Sequence, residues 1–398
     1  MELEIENPEP HLNIDYDSLN EIPVFDANNL SYNKFFKSFM LPNVPCIIQN
    51  VTEQWDSSKL WVQSGKPNLD YLLDKYGDCT VTVYNCNERY YNSQKTHEST
   101  FDNYLDYWKK YNHHDDSSNT LPLSYLKDWH LKLLDETDEF YKVPLYFASD
   151  WLNEYYTTAH LSDDYRFDTF SCRRFHIVQL VSECLWQETM VAVPSGRRKL
   201  LKDGLGNLPY DVAGLEGSVK HFKVVQHPGE AIFVPSGWYH QVTNIEDTIS
   251  VNHNWVNGCN IKQMWDSMRS GLEKVRLEIE DCIDMDGFEE HCQVMLNAAF
   301  GMDYYKFYDF LKCIGLTRTE MIGERRTSQM FFHGYKLGRN HILFDLEAVQ
   351  RILKEFVGCD DVNNLKYFKD VDTKPCTVLE TITRALENAS NEGTQNYC

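Results

Sequence analysis

The sequence predicts a mainly β core with flanking α-helices. Three observations predict it. The stretch Gln226–Asn257 alternates short extended runs with tight turns. Apolar residues follow helical spacing from Ile261 onward. Aromatic residues make up 14% of the 398 positions, which suits strands and aromatic-faced helices packed together.

Taken in order, residues 1–21 are polar and expected to be loose. Ile22-Pro23-Val24-Phe25 reads as a first strand. Ser31 is placed to cap a short helix running through Met40. Val44–Ile48 reads as a buried strand. Asn68 caps a helix with Leu69, Leu72, Leu73 and Tyr76 on one face, ended by Gly77. Cys79–Tyr84 alternates around Val81 and Val83, as a half-buried strand does. Phe101, Tyr104, Leu105 and Trp108 repeat at helical spacing, and Tyr125–Leu134 is expected to be helical. Residues 22–134 therefore form an α/β region, residues 135–258 the core, residues 259–357 a helical region and residues 358–398 a polar tail. Within the helical region, Ile261, Trp265, Met268, Leu272, Val275 and Ile279 share one face. Phe288–Phe300, Tyr304–Ile314 and Asp345–Phe356 continue the pattern. Asn388–Cys398 is expected to be disordered.

Composition excludes several classes. The formal charge is −22, which argues against direct binding of nucleic acid or of an anionic membrane. It permits a basic protein partner. Met1–Pro10 is acidic and lacks the apolar centre of a secretory signal. No apolar run reaches the length of a membrane span. The 12 cysteines form no C-x-x-C pair, so buried free thiols in a reducing compartment are expected. The expected location is the cytoplasm, with the nucleus as the alternative.

The chemistry centres on Gln226–Asn257. Pro228-Gly229 marks a turn, Ala231–Val234 is a strand-length apolar run, and Pro235-Ser236-Gly237 breaks it. Trp238–Val242 resumes extended structure, Asn244–Asp247 turns, and Thr248–Asn252 alternates polar and apolar. His240 follows the Gly237 corner on rigid backbone. A neutral imidazole there is able to ligate a metal; a hydrogen-bonded core histidine is the plainer alternative.

Gly229-Glu230, Phe233-Val234-Pro235, Gly237-Trp238, His240, Asn244, Thr248-Ile249 and Asn254 resemble the last metal-ligand segment of the jumonji-C family of Fe(II)/2-oxoglutarate oxygenases. Asn207–Asp211, Asn252–Gly258 and Ser149–Glu154 extend the resemblance, which covers the chain from about Ile22 to Gly315. It implies a double-stranded β-helix (jelly-roll or cupin) core with N-terminal α/β decoration and C-terminal helices. It implies Fe(II) as cofactor, 2-oxoglutarate as co-substrate and hydroxylation of a protein. His240 is the expected metal ligand. Asn252 and Asn254 are expected at the 2-oxoglutarate side of the site, and each could equally serve a turn or ladder hydrogen bond. Trp238 and Tyr239 are expected to shape the pocket wall. By the same resemblance the substrate is a lysine of the eukaryotic translation termination factor, and the C-terminal helices could form a homodimer or simply cover a sheet edge. The alternatives are a histone-lysine demethylase and a non-catalytic jelly-roll interaction protein.

One part of the expected site is missing from the sequence. The family's first two ligands come as H-x-D, which should lie between Phe167 and Asn207. That span holds no H-x-D. The spacing does occur at His113–Asp115 and His114–Asp116, in a polar loop without rigid support. Asp168–Lys199 also lacks the strand alternation and turn glycines expected of the core at this point. Codons permitted for Asp168–His176, read one base later, spell T-P-F-H-A-D-V-F. Continuing gives T-S-Y-S-W-S-V-N-V-C-G-K-K-R-W-W-L-F-P-P-G-E without a stop. Met190-Val191 forces a tryptophan codon in that frame. Asp168 to about Lys199 therefore reads as translated out of frame, the alternative being a genuine divergent insertion, and His176 belongs to the present frame alone. The threonine and lysine that the family uses on 2-oxoglutarate fall in the same segment.

Overall fold

A computed structural model of the chain describes residues 2–6, 19–90, 93–113, 121–126, 129, 131, 140–159, 176–182, 187–194, 221–244, 247–323 and 334–395. In order, β1 (Glu2–Leu3) and β2 (Val24–Asp26) precede α1 (Tyr32–Phe35), which a π turn (Phe36–Met40) extends. There follow β3 (Cys46–Gln49), α2 (Asp56–Leu60), β4 (Val62–Gln63), β5 (Lys66–Pro67) and α3 (Leu69–Tyr76). The antiparallel pair β6 (Thr80–Tyr90) and β7 (Ser93–Thr100) leads to α4 (Phe101–His113) and β8 (Ser124–Leu126). After α5 (Trp151–Ala159) come β9 (His176–Ser182), β10 (Gln187–Pro194), β11 (His221–Gln226), β12 (Ala231–Val234), β13 (Trp238–Asn244) and β14 (Ile249–Trp255). The rest is helical apart from β15 (Lys336–Leu337). Its helices are α6 (Ile261–Glu278), α7 (Phe288–Phe300), α8 (Tyr304–Gly323), α9 (Arg339–Val357), α10 (Asp360–Asn364), α11 (Tyr367–Asp370) and α12 (Pro375–Gln395).

Two sheets build the core. One has the order β14-β9-β12-β3-β2 and the other β11-β10-β13. All pairings are antiparallel except β2 with β3. Strand alternation divides the side chains. On β12, Ala231 and Phe233 join α1, the π turn and Phe147 in one apolar cluster. Ile232 and Val234 join Ile47, Phe222 and Trp238 in another, which draws on both sheets and so lies between them. This is jelly-roll construction: the two sheets face each other, and the larger one carries α1 and the π turn on its other face.

A second sheet system, β7-β6-β8, carries α3 and α4 over its own cluster of Trp61, Leu72, Val81, Val83, Phe101 and Leu105. Trp108 Nε1 donates to Asp247 Oδ1 at 2.9 Å, tying α4 to the β13–β14 turn. Expected caps are present: Ser31 Oγ accepts from Lys34 N–H at 3.2 Å and Asn68 Oδ1 from Tyr71 N–H at 3.3 Å. The C-terminal bundle has the largest cluster, in which Trp265, Leu272, Tyr304, Phe307, Val349 and Phe356 meet α5 residues Trp151 and Tyr155.

Several expectations change. The chain is not mainly β: among described residues, helix outnumbers strand about two to one, because the C-terminal bundle is extensive. The amino terminus is not wholly loose. Leu3 and Ile5 are fully buried, and β1 pairs in parallel with β15. Gly338 permits that approach: a Cβ there would lie 3.1 Å from the Glu4 Cα and collide with its carboxylate. Residues beyond 358 are more than a polar tail: α12 buries Val378 and Ile382, and it runs to Gln395, through much of the segment expected to be disordered. Ser124–Leu126 is a strand rather than the start of a helix, because its backbone pairs with Val83–Asn85. Finally, Asp168–Lys199 does supply strands. β9 pairs with both β12 and β14, and β10 with both β11 and β13. Ile177-Val178 and Val191-Ala192-Val193 are β-compatible, and backbone ladders ask little of side-chain identity. Among described residues, no helix is long and apolar enough to cross a membrane.

Candidate functional site

The site is set by the corner between β12 and β13. Gly237 sits at φ 76° and Gly229, at the preceding turn, at φ 84°, both in the left-handed region that favours glycine. Glu230 locks the first turn. Its Oε2 accepts from the His227 N–H at 2.8 Å, and its Oε1 from Gln49 Nε2 at 2.9 Å. Gln226 Nε2 donates to the Glu230 carbonyl at 2.8 Å. Asn43 clamps the second corner: its Nδ2 donates to the Ser236 carbonyl at 3.0 Å, and its carbonyl accepts from Trp238 Nε1 at 3.1 Å. Trp238 is buried between the sheets.

By strand alternation His240 shares the inward face of Trp238. Its register partner is Val191 on β10. The ring is partly buried, and loss of solvent pushes its pKa below the ordinary histidine value, against the pull of the Trp238 carbonyl. It is therefore neutral at neutral pH. Nδ1 lies 3.5 Å from the Trp238 carbonyl oxygen. A proton on Nδ1 directed there leaves the Nε2 lone pair for a metal. Tyr239 is the intervening position on β13, and its side chain lies outside the described residues.

On β14, Val251 and Trp255 pack outward into the cluster under α1. Asn252 and Asn254 occupy the opposite, inward parity, in register with Gln179 and Ile177 of β9. Asn252 is exposed and Asn254 half-buried. Strand parity thus puts His240 on the same face of β13 as Trp238, and Asn252 and Asn254 on the face of β14 opposite Val251 and Trp255. The end of β14 is held by residues that the sequence reading passed over as site supports. Asn260 Oδ1 accepts from the Asn257 N–H at 2.8 Å, and its Nδ2 donates to the Trp255 carbonyl at 3.1 Å. Trp151 N–H donates to the Val256 carbonyl at 2.8 Å, hooking α5 to the strand. Their one sequence signal was the density of asparagine just before a helix start.

One imidazole and two neutral amides do not make a three-ligand Fe(II) site. Among the described residues, no group of three His, Cys, Asp or Glu side chains is placed to hold a metal ion. His113 ends α4, which packs on α3, β6 and β7, a different sheet from the one carrying His240. His114, Asp115, Asp116, Asn207–Asp211 and Asp168–Phe175 lie outside the described residues. The described donors therefore do not fit iron in the present frame.

The chain matches the JmjC domain, described as a hydroxylase, over residues 208–255 and the cupin-like domain over residues 32–179. It is similar to the mouse protein named 2-oxoglutarate and iron-dependent oxygenase JMJD4, at 37% identity over 91% of this chain and 90% of the relative. The human protein of that name is 35% identical over 92% of each chain. The Drosophila melanogaster homolog is 38% identical over 82% of this chain and 86% of its own. With the jelly-roll core, the inward His240 and likeness across most of its length, the chain belongs to the JmjC family of 2-oxoglutarate and iron-dependent oxygenases.

Proposed function

We propose that this gene encodes an Fe(II)- and 2-oxoglutarate-dependent protein hydroxylase, and that the present chain carries the segment from Asp168 to about Lys199 out of frame. The observation that carries the reading is His240: an inward, neutral imidazole just past a glycine corner, inside the stretch that matches the JmjC hydroxylase domain. The shifted frame supplies what this site lacks. Its H and D fall at the codons of Ser171 and Arg173, immediately before β9. Its T-S-Y-S-W-S-V run falls on the codons of β9, and its K-K-R-W-W-L-F-P run on those of β10. The two family matches also leave residues 180–207 uncovered.

In such an enzyme His240 would be one of three iron ligands, and Asn252 and Asn254 would face 2-oxoglutarate. The bound iron and co-substrate supply the oxidising chemistry. The protein contributes the inward geometry, the neutral state of His240 and the fixed corner behind it. The substrate we propose is a lysine of the translation termination factor, in the cytoplasm, on likeness to the JMJD4 relatives. The C-terminal helices offer a homodimer surface. A second reading, a non-catalytic jelly-roll interaction protein, is favoured by the incomplete ligand set of the present frame.

Sequencing the transcript across the codons for Phe167–Leu201 tests the proposal. The shifted frame completes the ligand set. A transcript that confirms the present frame overturns it and turns the search toward binding partners.

A further inference from the structure

The hairpin of α6 and α7 carries a surface that the oxygenase core does not use. Among described residues, eleven large apolar side chains are exposed, and four of them lie between 277 and 294. Leu277, Ile283 and Val294 are the three most exposed, at 69%, 64% and 63%, and Met285 is exposed at 42%. The inner faces of the same helices are ordinary core: Met268, Leu272, Val275, Cys292 and Leu296 are buried. The outward apolar residues are therefore additional to what the hairpin needs to pack. Between Glu278 and Glu290 there are seven acidic residues and no lysine or arginine. Neighbouring Arg276 is already held by Glu289 and Asp361.

We propose that this corner docks a basic amphipathic helix of a partner protein, with cationic side chains on one face and apolar ones on the other. Exposed leucine, isoleucine and valine supply the desolvated contacts, and the surrounding carboxylates select the sign of the partner's charge. A second copy of this chain would bring the same carboxylates face to face, which like charges oppose. An anionic membrane surface is repelled for the same reason.

The test uses the full chain and a fluorescent peptide of leucine and lysine, about 18 residues long and patterned as an amphipathic helix of about five turns. Two sets of variants at exposed positions are compared: L277S/I283S/V294S, and E280Q/D281N/D284N/D286N. Circular dichroism confirms that both stay folded. Each set is expected to weaken binding at least about tenfold, the loss of a few rim and core contacts. A peptide with serine replacing leucine is expected to bind poorly, as is one with glutamate replacing lysine. Wild-type affinity in both sets overturns the proposal. So does sedimentation showing a dimer that L277S/I283S/V294S abolishes, which would make a second copy the occupant.

Discussion

Arg318 on α8 and Glu154 on α5 form a bidentate ion pair inside the protein, Nη1 donating to Oε1 at 2.7 Å and Nη2 to Oε2 at 2.8 Å. The third guanidinium nitrogen, Nε, donates to Asp345 Oδ2 on α9 at 2.8 Å. Trp151 Nε1 donates to the same oxygen at 3.2 Å. His341 Nδ1 lies 3.3 Å from Asp345 Oδ1, and its Nε2 lies 2.7 Å from the Tyr32 hydroxyl. One buried polar network thus joins α1, α5, α8 and α9, and with them the jelly-roll and the helical bundle.

Arg318→Met leaves two buried carboxylates without their cation. A loss of about 3–5 kcal/mol is expected, the scale for breaking one side of a buried pair. Arg318→Lys recovers only part of it, since an ammonium does not reproduce the fork. Urea denaturation of the two variants against wild type checks both values.

Acid sensitivity should follow Asp345. Burial alone would raise its carboxyl, but attraction from His341 and Arg318, with the hydrogen bond from Arg318 Nε, outweighs burial and holds it below the usual carboxylate range. Glu154, Tyr32 and Cys259 complete the titratable surroundings. A depressed folded pKa gives stability that is present above the unfolded value, about 3.9, and lost as pH falls through the folded one. The difference in unfolding free energy between wild type and Asp345→Asn should therefore shrink below about pH 4. A constant difference down to that range and below would refute this assignment. Glu154 runs the other way: burial outweighs Arg318 and raises its carboxyl.

Glu230→Ala removes the acceptor of the His227 N–H and of the Gln49 side chain. A cost of about 1–3 kcal/mol is expected for losing two part-buried hydrogen bonds to a charged acceptor, with Glu230→Gln milder. Chemical denaturation measures the cost, and the His240 imidazole resonance in NMR reports whether the corner has moved.

Gly271→Ala would raise helix propensity by about 1 kcal/mol, yet it is expected to destabilise. A Cβ at this position meets the Phe300 ring at 2.3 Å and 2.5 Å, within the α6–α7 contact. Overpacking of this kind costs about 1–3 kcal/mol. A melting temperature at or above wild type would show that Phe300 gives way freely.

Metal binding separates the two frames. The present chain should take up far less than one equivalent of Co(II), used as a spectroscopic stand-in for Fe(II). The frame-restored chain should bind about one, as a three-ligand site does. His240→Ala should lower uptake in the restored chain and leave the present chain unchanged. Stoichiometric binding by the present chain would sink the frame-shift reading.

Local features were legible because local physics sets them. The turn at Pro228-Gly229, the run Ala231–Val234 and the Gly237 corner lie where their residue types require. The apolar face of α6 is buried at Ile261, Trp265, Met268, Leu272 and Val275, as its spacing demands. The inward direction of His240, Asn252 and Asn254 followed once the strands were placed. The sequence by itself determined the family, the corner, the principal helices and the absence of an H-x-D pair where one is needed.

Tertiary structure decided the rest. Leu3 and Ile5 sit in a polar stretch with no repeat, and only β15 brings them into a core. Arg318 and Glu154 are 164 residues apart and read individually as surface charges, as do most arginines and glutamates. Their burial depends on helices from distant segments meeting around them. Asn43 and Asn260 serve the site only because folding brings a loop and a helix start against its corner. Side-chain period and turn chemistry report on neighbours along the chain. Contacts between remote segments leave no such period, so the network and the supports of the site became visible only in three dimensions.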